Sequence, residues 1–153
     1  TKPPEKKDAL IFCKSAVDKI SNKNAALSNN PNEKLNIADH HAWLADAYIL
    51  NQNMELARYH RIQQLKIIEK LLENDIHNAQ LIELIVTSNF ALAKIEIIDG
   101  KPALSKKYIN FAEQHNNSLS KIDKDNVFRQ KFLNRINQLK LALKGKKNDE
   151  IIR

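Results

Sequence analysis

Trp43-Leu44-Ala45-Asp46-Ala47-Tyr48, the turn Asn51-Gln52-Asn53, and then Met54, Leu56 and Ala57 spell a helix, a tight polar turn and a second helix. An imperfect copy follows: Phe90, Ala91, Leu92 and Ile95, the turn Asp99-Gly100-Lys101, then Ala103, Leu104 and Tyr108. Trp43 to Phe90, Asn53 to Gly100 and Arg61 to Tyr108 are each a shift of 47, so one register spans helix, turn and helix. A fixed period of this size is the mark of stacked helical hairpins. In that register Trp43 matches Phe90 and is expected at the hairpin contact.

Composition agrees with an all-α domain. The chain has 153 residues with two glycines and four prolines, too few breakers for a many-stranded sheet. A chain of this length buries roughly 68–70% of its unfolded surface and needs no staple. No apolar run reaches the 18 or more residues of a membrane span, so no insertion within this chain is expected. Residues 1–7, with Pro3, Pro4 and three lysines, read as a linker, and residues 145–153 as a flexible basic tail. A linker at the start favours a piece of a longer protein over removal of an initiator Met. The single Cys13, spaced with Leu10, Val17 and Ile20, reads as a small buried apolar residue and excludes an internal disulfide.

Between linker and tail, residues 8–144 read as about six helices. The first spans about 8–28 and stops at Asn29-Asn30-Pro31; the next two, about 33–50 and 53–74, flank the turn at Asn51 and must run antiparallel. A fourth, about 79–98, is apolar almost all round and is expected at the centre of the stack. Pro102 opens the fifth, and the sixth, about 125–143, has an apolar stripe from Phe128 to Leu143 with a polar outer side that suits a terminal cap. Asn30-Pro31-Asn32, Ile76-His77-Asn78 and Lys124-Asp125-Asn126 form the joints between hairpins at separations near 46 to 48, and an Asn or Asp there can cap the helix that follows.

The run Trp43 to Tyr48 with Leu56-Ala57, and Asp99-Gly100 with Ala103, Leu104 and Tyr108, resembles the aromatic, small-residue, Tyr and Ala pattern of tetratricopeptide repeats over roughly residues 33–143. The period of 47 departs from that family's 34, Ala45 and Leu92 stand where its first helix has Gly, and a closing proline occurs only at Pro31. The resemblance implies a short right-handed solenoid of the bacterial type that binds a protein or peptide. Long-helix variants resemble regions attached to membrane-spanning kinases and transcription regulators, which implies an extracytoplasmic location rather than a cytoplasmic one. A helical sensor or dimerisation domain, with a second copy as its partner, is the alternative.

The residues spell no reaction chemistry: there is no phosphate loop, no His-Glu-x-x-His, no Cys pair and no Ser elbow. No catalytic residue, cofactor or metal is therefore expected, and His40, His41 and His77 read as solvated or capping groups. The net charge of +7 raises nucleic acid, but the basic residues are scattered among Glu and Asp, and no such partner is expected. Lys106, Lys107, Arg129, Lys131 and Arg135 in the last hairpin form the one candidate basic patch. A partner-binding line is expected on the concave side of the stack, lined by the first helices of the hairpins, at Asp39 and Asp46 and at Asn89 and Glu96, each pair seven apart and so on nearly one face. Acidic lines of this kind favour a ligand bearing Lys, Arg or a free amine. The partner's identity is not legible here.

Overall fold

A computed structural model describes residues 30–145, together with Ile11 and Ser15. The helix expected over 8–28, Cys13, the linker 1–7 and the tail from 146 onward lie outside the described residues. Among the described residues the chain is all-α: α1 (Pro31–Leu50), α2 (Met54–Leu72), α3 (Ala79–Ile98), α4 (Pro102–Ser118), a 3-10 turn (Leu119–Lys121) and α5 (Val127–Gly145), with no strand. The chain divides into two compact units, Thr1–Ile68 and Glu69–Arg153, and the division falls inside α2.

Each start and stop follows from local chemistry. Asn30 caps α1 by accepting from the Asn32 N–H at 2.9 Å, Asn78 caps α3 from Leu81 at 3.1 Å, and Asn126 caps α5 from Arg129 at 2.8 Å. Asn53 does the same for α2, accepting from Leu56 at 3.1 Å. Both hairpin turns close α1 and α3 with one motif. Asn53 N–H donates to Tyr48 O at 2.9 Å and Gln52 N–H to Ile49 O at 2.9 Å; Lys101 N–H donates to Glu96 O at 2.7 Å and Gly100 N–H to Ile97 O at 3.1 Å. The motif needs one left-handed residue, supplied by Gln52 at φ 59° and Gly100 at φ 71°.

These boundaries correct the period. Asn30, Asn78 and Asn126 lie 48 apart, as do the starts of α1, α3 and α5, the ends of α1 and α3, the two left-handed residues and the starts of α2 and α4. Burial repeats with them. Ala38, Leu44, Ala45, Ala47 and Tyr48 are buried, and so are Val86, Leu92, Ala93, Ile95 and Glu96. Ala57, Gln64, Ile68 and Leu71 are buried, and so are Ser105, Ala112, Asn116 and Leu119. The duplication is therefore built into the packing, at 48 rather than 47. A slip of one residue turns a helix by roughly 100°, so Trp43 corresponds to Ala91 and not to buried Phe90. Trp43 is accordingly 58% exposed, against the expectation of a hairpin contact.

In the first unit α1 and α2 meet through His41 and Tyr48 against His60, with Leu44, Ala45 and Ala57 buried. In the second unit the core is Val86, Phe90, Ala93 and Ile97 of α3, Ile109 and Ala112 of α4, and Phe132, Ile136 and Leu139 of α5. Phe132 meets Phe90 edge to face at 5.4 Å and stacks on Phe128 at 4.6 Å. Asn116, fully buried, donates to Arg129 O at 3.0 Å and ties α4 to α5. α3 is the most deeply buried helix, as its all-round apolar sequence requires.

The turns carry a testable asymmetry. A left-handed backbone costs a residue with a Cβ about 1–2 kcal/mol relative to Gly. Gly100→Gln is expected to lose about that much in urea titrations, whereas Gln52→Gly is expected to gain part of it. The space beside Gly100 is open, so backbone strain alone is measured.

Candidate functional site: the outer face of α1

α1 buries one side and turns the other to water. Along that outer side, at spacings of three and four, stand Asn32, Asn36, Asp39, Trp43, Asp46 and Leu50, all exposed. Trp43 and Leu50 are each 58% exposed, which makes a large apolar pair two turns apart with a carboxylate on either side of the indole. Scattered exposed apolar side chains are ordinary. A Trp is different, because truncating an exposed indole at a docked interface is among the largest losses that interfaces show.

The duplicated hairpin supplies an internal control. The positions 48 residues on from Asp39, Trp43, Asp46 and Leu50 are Thr87, Ala91, Lys94 and Ile98. The two helices have matching ends and Asn caps, and every buried position of α1 has a buried counterpart in α3, so the scaffold does not require an aromatic ring or acids there. What differs between the copies is the exposed chemistry.

Around Trp43 the neighbours are polar. The His40 ring lies 4.9 Å away, tilted 56°, and is oriented by its Nδ1–H donating to Asn36 O. The carbonyl can only accept, so Nδ1 carries the proton. Asp46 accepts from Arg61 Nη2 at 2.5 Å, and Arg61 Nη1 donates to Gln64 at 2.9 Å. The Arg61 side chain is 11% exposed but Asp46 remains 59% exposed, so its carboxylate still faces water. Asp39 has no ion pair among the described residues.

On the inner side, His41 Nδ1 and His60 Nδ1 are 2.9 Å apart, with ring centroids 5.2 Å apart. The rings thus meet head-on and share one proton, one nitrogen donating and the other accepting. With that proton held between them, the two Nδ1 atoms do not converge on a common ion, and no group of three or more metal-ligating residues is found among the described residues. Burial, and then the neighbouring His40, lower the His41 pKa below its usual 6.5. The unfolded chain therefore takes up a proton at this site before the folded chain does, and stability falls as pH drops below about 6.5. His41→Phe should flatten that part of the pH dependence when urea titrations near neutral and mildly acidic pH are compared with the parent.

The other residues of the expected binding line are placed differently. Asn89 is 2% exposed and donates to Ile85 O at 3.0 Å, and Glu96 is fully buried. In the corrected register they match His41 and Tyr48 on the inner side, so they do not continue the line of Asp39 and Asp46. The basic patch is dispersed too. Lys106, Lys107, Lys131 and Arg135 are exposed, but Arg129 is half-buried and lies nearly halfway round α5 from Lys131 and about a third of the way round from Arg135. Arg135 sits over Phe90 at 5.1 Å and Phe132 at 4.8 Å, and Lys107 over Phe111 at 5.9 Å, so these two cations are engaged with rings of the same unit. No helix among the described residues is long and apolar enough to cross a membrane. Neither Trp43 nor Leu50 belongs to the expected binding line, and the register of 47 turned Trp43 inward. The spacing of the three Asn caps held the signal that corrects it. No family model, curated protein or solved structure matches this chain.

Proposed function

We propose that the chain is a tetratricopeptide-like helical-repeat module, without catalytic activity, that binds a protein or peptide partner through the outer face of α1. The observation that carries this reading is the exposed Trp43–Leu50 pair, set where the duplicate helix has Ala91 and Ile98. The regular caps and repeating burial support a scaffold whose variation is reserved for its surface, which is how repeat proteins present binding faces. A module of this kind needs no reactive group.

The test is positional. A benzophenone amino acid placed at position 43 should crosslink a partner protein that the same group at Asn134, exposed on α5, does not. Equal crosslinking at the two positions would end the reading, and capture of a second copy of the chain would favour the dimerisation domain instead.

A further inference from the structure

We infer that the occupant of the α1 face is a cationic protein segment, with an Arg or Lys side chain laid over the Trp43 indole between the carboxylates of Asp39 and Asp46. The inference rests on the docking reading above and adds the chemistry of the partner.

Charge complementarity argues for it. The whole chain is basic, at +7, yet α1 carries Glu33, Asp39 and Asp46 against Lys34 alone. Two of those three carboxylates stand one turn before and one turn after the exposed indole. Trp is the strongest of the aromatic faces for a cation, and flanking carboxylates supply the paired charge that a guanidinium or ammonium needs once it leaves water. Asp46 already accepts one guanidinium, from Arg61, while keeping most of its surface exposed. Elsewhere in the chain Arg135 lies over two phenyl rings, so the proposed contact repeats a geometry that this protein already uses. The matching face of α3 lacks the ring and has Lys94 in place of Asp46, so it would reject the same ligand. A phosphate-bearing partner is disfavoured by the same two carboxylates. The +7 does not prevent the contact, because at physiological ionic strength charges beyond about 8 Å are screened.

Trp43 is the only Trp in the chain, so its fluorescence reports on this face alone. Titration with an end-capped tetra-arginine peptide should change Trp43 emission saturably, and an end-capped tetra-glutamate peptide should not. Asp39→Asn, at an exposed position, should weaken the tetra-arginine response by up to about fivefold, the value of one exposed charge pair, and added salt should weaken it further. An absent response, an equal response to tetra-glutamate, or a response unaffected by Asp39→Asn with Asp46→Asn overturns the inference. A partner crosslinked at position 43 without any tetra-arginine response would leave the docking face standing and remove only the cationic occupant. Sedimentation that shows self-association abolished by Asp39→Asn would make the occupant a second copy, and would overturn the inference too.

Discussion

Replacing Phe132 with alanine is expected to cost about 3–5 kcal/mol, a large share of the 5–15 kcal/mol that holds a typical domain folded. Phe132 is 6% exposed and is the one α5 ring that touches both Phe90 of α3 and Phe128 of its own helix. Its removal leaves a gap in the buried core that it shares with Ile109, Ile136 and Leu139. Arg135, whose guanidinium lies 4.8 Å from that ring, loses a stacking face as well. Helix packing cannot collapse onto the gap without shifting α5, so the loss should appear in full. Urea unfolding followed by circular dichroism measures it, and a loss below about 1 kcal/mol would mean that the core of the second unit is not packed as described.

Leu44→Ala and Trp43→Ala, adjacent in sequence, are expected to differ by about 2–4 kcal/mol. Leu44 is 2% exposed, and a buried Leu→Ala change costs about 2–5 kcal/mol. Trp43, 58% exposed, should fall within about 0.5 kcal/mol of the parent, as surface substitutions do. Circular dichroism must be the readout, because the second variant removes the indole. Equal losses at both positions would restore the register of 47 and place Trp43 in the hairpin contact.

The helices were legible because their signals are local. Asn caps, prolines at Pro31 and Pro102, polar turns and the apolar run from Leu81 to Ile98 fixed both ends of α1 and α3 and the start of α4 within two residues. Register is not local in the same way. Matching the aromatic Trp43 to the aromatic Phe90 weighted side-chain likeness over spacing, whereas the packing weights angular position about the helix axis. Ala42 is the true counterpart of Phe90, and that substitution of large for small is invisible to similarity. Asp39 and Asp46 are exposed on α1, but Asn89 and Glu96, joined to them by the shared spacing of seven, are turned inward by α3. Polar residues in the core of α3 could not be told from a binding line by sequence, because a buried Asn that bonds its own helix and a solvated one have the same spacing.

The asparagine joints give the chain a property of interest to protein engineers. Each block begins on an Asn whose side chain holds the N–H groups of the helix it opens, at Asn30, Asn78 and Asn126. The stretch from Asn78 to Asp125 is thus a cassette that starts on one cap and ends just before the next. Inserting a second copy at Asn126 would recreate every local hydrogen bond at both splice points, with no linker to design.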